Sequence, residues 1–352
     1  MSLTATNCAS LLPGVPHVES PFFSRIVEQL ELDDATRRIA FDLYLKGYAV
    51  IDFPDPEIDL LAESIKHELH DQYDWDMWHQ HGHQSGVSLR SWDAWKTVQC
   101  VRRIASNPKI VDLLSTLYGR RAWPFQTLNF PVGTQQHFHT DAVHFNSNPE
   151  RFMCGVWVAL EDITADNGPL FYYPGSHRWP IYTNEHIACC VSDLPQKPDQ
   201  TVYEEMWRGL VEVNHAKPEV FLCKKGQALL WTANLLHGGS IQLDKNRTRW
   251  SQVTHYFFDD CAYYTPMWSD PFNGLVYFRK PINVASGEVM SNQYQGHKIS
   301  SRFIEDSRNG HSEFDPELYL AANPDVRNSG MDAAAHYQRY GRSEGRLLRP
   351  KS

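Results

Sequence analysis

Residues 135–145 read Gln135-Gln136-His137-Phe138-His139-Thr140-Asp141-Ala142-Val143-His144-Phe145. On a β-strand, residues two apart point to one face. His139 and Asp141 are therefore expected to project together into the interior of a β-structure. The spacing alone is weak. In a chain of 352 residues with 17 His, about one such pair arises by chance, and a satisfied polar pair at a strand end fits it equally well. A second stretch changes the weighing. Gly226-Gln227-Ala228-Leu229-Leu230-Trp231-Thr232-Ala233-Asn234-Leu235-Leu236-His237-Gly238-Gly239-Ser240 ends an apolar strand in a His followed by glycines. Two His and one carboxylate occupy one face of an octahedral metal and leave three positions open, the pattern of non-haem iron sites. Arg249 opens the next apolar run, Trp250 to Phe258. A buried Arg is costly unless it meets an anion, and it grips a carboxylate in bidentate fashion. Arg247, on the same strand face, competes for that role. A surface charge near a turn is the plain alternative for either.

Outward from these stretches, short apolar runs at 125–132, 152–160, 169–173, 219–223, 227–232 and 250–258 alternate with turn signals. That is the rhythm of a closed all-β unit. Residues 200–214 interrupt it as a helical insertion. The first half is different. Residues 21–46 predict one or two helices, Gly47–Phe53 a strand, 58–69 a helix, and Pro108–Tyr118 a helix closed by Gly119. Residues 73–96, rich in Trp and His, predict a long loop or broken helix. Helices thus precede strands, which excludes a regularly alternating βαβ architecture. The expected class is mainly β with flanking helices. The domain expectation is a loose arm at 1–20, a main domain at 21–299, a polar linker at 300–313, and a small helical module at 314–352 read as two helices joined by a Gly turn.

The chain carries 33 Lys and Arg against 42 Asp and Glu, a formal charge of -9. Phosphate backbones need a basic footprint, so a nucleic-acid partner is not expected. The seven Cys show no C-x-x-C pair, which fits a reducing cytoplasm better than a disulfide framework. No stretch has the basic-then-apolar pattern of a leader or the length of a membrane span.

Four linked motifs carry a resemblance: the strand Gly47–Phe53, the His139-Thr140-Asp141 segment, Asn167-Gly168-Pro169-Leu170-Phe171-Tyr172-Tyr173-Pro174-Gly175-Ser176-His177, and His237-Gly238-Gly239-Ser240 with its Arg-led strand. From about residue 40 to about 260 the chain resembles the phytanoyl-CoA dioxygenase family of Fe(II)/2-oxoglutarate oxygenases. The resemblance implies a double-stranded β-helix (jelly roll, cupin-like), iron held by His139, Asp141 and His237, and 2-oxoglutarate and O2 as co-substrates. It implies that Arg249 clamps the far carboxylate of 2-oxoglutarate, because His255 follows it as a His follows that Arg in the family. The gap from His237 to Arg249 is about one residue longer than usual, which keeps Arg247 in play. A serine often stands two residues after the distal His. Gly239 is there instead, with Ser240 as the substitute. Related halogenases lack the carboxylate, so Asp141 points to a hydroxylase.

Other polar residues are weighed against plain packing. Trp157 is a candidate to pack on the co-substrate, His137 to support the metal, and His144 and His177 to touch substrate. The cluster His79-Gln80-His81-Gly82-His83 fits a solvated loop better than a second metal site, since no Cys or carboxylate accompanies it. The C-terminal block resembles a module appended to varied bacterial proteins, many linked to surface polysaccharide synthesis. That association suggests a bacterial source, a glycan-linked, lipid-like or secondary-metabolite substrate, and self-association or docking through the module. The rival readings are a non-oxidative metal-binding cupin that binds or isomerises a sugar, and an interaction scaffold.

Overall fold

A run such as Gln227–Thr232 is apolar at almost every position, which suits a strand covered on both faces. The structure, a computed structural model, has such strands at its centre. It describes residues 11–82, 89–191, 194, 197–308, 316–341, 344–348 and 350. The strands in chain order are β1 (Tyr48–Asp52), β2 (Ser91–Trp92), β3 (Ala122–Phe130), β4 (Asn146–Asn148), β5 (Met153–Ala159) and β6 (Leu170–Tyr172). There follow β7 (Glu219–Phe221), β8 (Gln227–Thr232), β9 (His237–Gly239), β10 (Ser251–Phe258) and β11 (Ala262–Tyr264). A large sheet has the order β1-β8-β5-β10-β3-β2, and a small one β7-β6-β9. All these pairings are antiparallel. The expected double-stranded β-helix is present.

Alternation along each strand divides the side chains between two cores. On β8, Ala228 and Leu230 face the helices, while Leu229 and Trp231 face the small sheet. Across the inner face the register lines up Leu229, Trp157, Val253 and Leu128 as one row. The next row is Trp231, Gly155, His255 and Gln126. These rows form the floor of the site described below.

The helices are α1 (Phe23–Gln29), α2 (Asp34–Lys46), α3 (Ile58–His70), α4 (Trp75–His81), α5 (Gln99–Ala105), α6 (Pro108–Tyr118) and α7 (Thr201–Val213). The first six share one core with the outer face of the large sheet, α2, α5 and α6 lying directly on its strands. α6 shows how sequence sets its limits. Asn107 caps it by accepting from the Lys109 and Ile110 N–H groups, and Pro108 takes its first turn, where no N–H is missed. Gly119 ends it at φ 76°, a conformation that favours glycine. α7, the expected insertion, is amphipathic and buries Tyr203 and Trp207 against Tyr173, Leu236 and Met267. No helix among the described residues is long and apolar enough to cross a membrane.

The C-terminal part differs in detail from expectation. Residues 301–308, expected as linker, form α8 (Ser301–Arg308), which packs Ile304 on Phe278 and Ala262. One apolar anchor in a polar stretch leaves little periodicity to read. Beyond it, the described residues form three short α-helices rather than two, α9 (Pro316–Ala322), α10 (Pro324–Ser329) and α11 (Ala333–His336), the last continuing into a π-helical turn at Tyr337–Gly341. Gly330, at φ 70°, joins the last two. They share a small core of their own, Tyr319, Val326 and Ala333. Of the expected arm, residues 1–10 lie outside the described residues, and 17–19 form a 3-10 turn with Val18 buried. His83 of the His-rich cluster also lies outside them, while His79 and His81 belong to α4.

Candidate active site

His237 begins β9, and His139 pairs with it through the backbone. The His139 N–H donates to the His237 carbonyl at 2.8 Å, and the His237 N–H to the His139 carbonyl at 3.0 Å. His139 is thus an isolated bridge beside β9, and Asp141 starts a 3-10 turn, Asp141–Val143. The expected strand is shorter than read, yet both side chains converge. One donor atom from each of His139, Asp141 and His237 lies within 4.8 Å of the others, and all three residues are buried.

Each ring is oriented by its other nitrogen. His139 Nδ1 is 3.1 Å from the His137 carbonyl, and His237 Nδ1 is 2.9 Å from the Leu235 carbonyl. A carbonyl only accepts, so both Nδ1 atoms carry the proton and both Nε2 lone pairs are left for a metal. Burial and the neighbouring His237 push the His139 imidazole down to about 3, so it is neutral at pH 7. Burial alone would raise the Asp141 carboxyl. His237, His255, His139 and the Trp231 N–H outweigh it and hold it at about 2. Two imidazole Nε2 atoms and an ionised carboxylate are the donor set that a hard-to-borderline divalent metal takes.

Asp141 is itself held. Trp231 Nε1–H donates to its Oδ2 at 2.7 Å. His255 Nε2 lies 3.7 Å from the same oxygen, and His255 Nδ1 lies 3.1 Å from Gln126 Oε1. The indole reaches Asp141 by crossing over Gly155, where a Cβ would fall 2.2 Å from the ring. Buried indole N–H groups need acceptors, and that was the available signal for Trp231, which sequence reasoning missed.

The triad lines a cavity of about 170 Å3, together with Arg249, Trp157, Phe130, Leu170 and Val253. Arg249 is 1% exposed. One Nη donates to the Val132 carbonyl at 3.2 Å, while Nε and the other Nη are buried without a partner. Its guanidinium lies 5.5 Å from the Trp157 ring centroid and 5.9 Å from that of Phe130. Two orphaned donors of a buried cation are the observation that fits a carboxylate guest. Arg247 is elsewhere. It is half-buried, donates to Thr164 Oγ1 at 2.8 Å, and lies 3.9 Å from Asp166.

The remaining candidates divide. Trp157 and His144 line the cavity. His137 is not among its walls and turns toward Arg208, 3.4 Å away. His177 is buried as architecture. Its Nε2 is 3.1 Å from the Tyr44 carbonyl, and it fills the space where Gly47 has no side chain. Ser240 is also outside the lining, and its N–H donates to the Pro169 carbonyl at 2.9 Å. Gly239 is a wall, and a Cβ there would sit 2.6 Å from Thr134 Oγ1. The hydroxyl on that wall therefore comes from Thr134, from another segment. Arg90, Trp92 and Gln136 line the cavity too, without a sequence signal to single them out.

Comparison with known proteins agrees with this geometry. A model of the phytanoyl-CoA dioxygenase family matches residues 62–243. The peroxisomal phytanoyl-CoA dioxygenase of Rattus norvegicus is 27% identical over 172 residues, 46% of this chain and 47% of that protein. The chain spans about half the length of the curated relatives it matches. Among solved structures, EctD from S. alaskensis with 2-oxoglutarate and 5-hydroxyectoine superposes with a TM-score of 0.51 at 22% identity, over 68% of this chain and 82% of that one. The non-haem α-ketoglutarate-dependent carbocyclase SnoK from nogalamycin biosynthesis gives 0.51 at 14%, over 76% and 96%. At such identities the likeness is one of fold.

Proposed function

Because the chain belongs to the phytanoyl-CoA dioxygenase family, we propose that it is an Fe(II)- and 2-oxoglutarate-dependent oxygenase that hydroxylates a C–H bond of a small molecule. The observation that carries this is the shared cavity: a buried His139–Asp141–His237 cluster and a buried, under-partnered Arg249 line the same space. A cupin that only binds or isomerises has no use for that arginine.

Fe(II) and 2-oxoglutarate, when bound, supply O2 activation that yields succinate, CO2 and an oxidised substrate. The chain's own part is positioning and exclusion. His139 and His237 present fixed Nε2 lone pairs, and Trp231 and His255 restrain the Asp141 carboxylate. Such supporting contacts fix ligand orientation and metal affinity. Arg249 would hold the C5 carboxylate of 2-oxoglutarate, and Phe130, Trp157 and Leu170 would exclude water around its carbons. Thr134, Gln136, His144 and Phe145 face the remaining space, where substrate approaches. Asp141 supplies the carboxylate that related halogenases lack, which supports hydroxylation over halogenation.

The test is anaerobic addition of Fe(II) and then 2-oxoglutarate to the full chain, watching for the weak visible charge-transfer absorption of the chelate. The absorption is expected in the parent and not in the His139→Ala or Arg249→Ala variants. Folded, iron-loaded parent protein without it would defeat the proposal.

A further inference from the structure

A second cavity lies behind one wall of the first. Its volume is about 380 Å3, against about 170 Å3 for the cavity of the triad and Arg249. Small-molecule sites begin at about 300 Å3. Once it holds a five-carbon dicarboxylate, the first cavity has room for only part of a larger substrate. The partition between the two is made of side chains. Phe125 and Gln126 line the second cavity, and Phe145 and His255 the first. The Phe125 and Phe145 ring centroids are 5.4 Å apart, and Gln126 meets His255 as described.

The charge of the second cavity runs against that of the chain. The protein as a whole carries -9, yet this lining has Arg279, Lys280 and Arg308 against one carboxylate, Asp93. Asp93 is engaged by Lys96 at 3.4 Å and Lys280 by Glu305 at 3.3 Å. Among the described residues, Arg279 and Arg308 hydrogen-bond to neutral partners only, although Asp93 also acts on Arg279 through its charge. Arg279 meets the Thr265 hydroxyl at 3.2 Å, its Nε is buried without a partner, and Arg308 donates to the Tyr277 phenol oxygen at 2.8 Å. Lys197 Nζ lies 3.7 Å from the Tyr277 ring centroid. Burial would raise the Tyr277 phenol, but Arg308 and Lys197 pull it below its ordinary value, as a locally positive field should. The Arg279 guanidinium lies 4.7 Å from the Phe145 centroid, at the partition itself. Trp95, Trp268 and Phe125 supply apolar walls.

We propose that this second cavity anchors an oxyanion of the primary substrate, a carboxylate or phosphate ester, through Arg279 and Arg308. A substrate reaching from the metal past Phe145 then has its acid end between these guanidinia and its apolar part against the aromatic walls. The inference rests on the oxygenase reading for the word substrate, while the anion site itself does not require it.

The test uses the full chain loaded anaerobically with Fe(II) and 2-oxoglutarate, so that Arg249 is already engaged. Tryptophan fluorescence, reported by Trp95 and Trp268, is followed during titration with inorganic phosphate and, separately, with hexanoate. A saturable response is expected to at least one probe, the tighter of the two marking the kind of acid. Arg279→Gln and Arg308→Gln should each weaken it about ten-fold or more, as loss of a charge-assisted hydrogen bond does, with the 2-oxoglutarate chelate absorption unchanged. Arg308, at the end of α8, provides the variant should Arg279→Gln fail to fold. No saturable response to either anion, or both variants binding like the parent, overturns the proposal. A missing chelate absorption with anion binding retained would instead remove the oxygenase reading and leave the anion site standing.

Discussion

Replacing Arg249 by Met separates the protein's stability from its ligand binding, and the two should move in opposite directions. Burial holds the Arg249 guanidinium at about 10 rather than 12.5. It is charged at pH 7 in both folded and unfolded chains, so the folded state carries the whole penalty. At about 1.4 kcal/mol per pH unit, that penalty is about 3 kcal/mol. Against it stand one hydrogen bond to the Val132 carbonyl, worth about 1 kcal/mol, and cation–π contact with Trp157 and Phe130, worth about 1 kcal/mol together. Met fills a similar volume without charge. Arg249→Met is therefore expected to match or exceed the parent in stability without ligand, by about 1 kcal/mol or a degree or two of melting temperature. With ligand the order reverses. At a hundred-fold excess over its Kd, 2-oxoglutarate stabilises the parent by about 2.7 kcal/mol, and the variant should gain nothing. Thermal melts with Fe(II) under argon, with and without 2-oxoglutarate, read both quantities. A variant that melts several degrees lower without ligand would show that the guanidinium is structural. A variant that keeps the ligand-induced shift would show that another group binds the carboxylate.

Gly155→Ala puts a methyl 2.2 Å from the Trp231 ring, so the indole must shift and release Asp141. The expected cost is about 1–3 kcal/mol of stability and a ten- to hundred-fold fall, roughly, in metal affinity, measured by urea melts and metal titration. Trp231→Phe keeps an aromatic ring, though a smaller one, but loses the N–H to Asp141. It should lower metal affinity to a similar extent, and unchanged affinity would disprove the restraint assigned to Trp231. His177 governs a pH dependence. Burial holds its imidazole at about 4 instead of 6.5. The folded value lies below the unfolded one, so its contribution is complete above pH 6.5 and is lost as pH falls toward 4, up to about 3 kcal/mol. Urea midpoints from pH 7 to pH 4.5 should decline less steeply in His177→Gln than in the parent, and parallel declines would contradict this. Removal of residues 312–352 takes away a core, Tyr319, Val326 and Ala333, that is separate from the others, so the remainder should melt within a few degrees of the full chain.

Much of this was readable from residues. The strand β8 announces itself by its apolar centre, Ala228 to Trp231, and Gly119 marks the end of α6 where Pro108 marks its start. The convergence of His139, Asp141 and His237 was legible through the linked motifs around them, since the His139–Asp141 spacing alone is weak. What the sequence hid is non-local. β9 is three residues long and two of them are glycine, so it carries no periodicity, and it exists because β6 and His139 flank it. Arg247 and Arg249 share a face by spacing alone. They part because the backbone of Arg249 already bonds to Pro131, while Arg247 still lies in the preceding turn with Thr164. Thr134, Gly155 and Trp231 acquire their roles only through the register of strands distant in sequence. Arg279 lies beyond the last strand of the large sheet, and nothing around it in the sequence points back to the cavity.

The double backbone bond between His139 and His237 has a consequence for how this chain can be altered. Everything from 140 to 236 is a loop whose two ends are clamped side by side. A segment inserted, lengthened or exchanged within that loop leaves the spacing of the two imidazoles unchanged, provided β5, β6 and β8 remain. α7 and its surroundings, residues 197–218, are such a segment; they contribute no wall to the metal cavity themselves but hold two of its walls, Gln136 and His144, through Gln200. They are the natural place to graft a counterpart from another family member, changing what approaches the metal while the coordinating frame stays as it is.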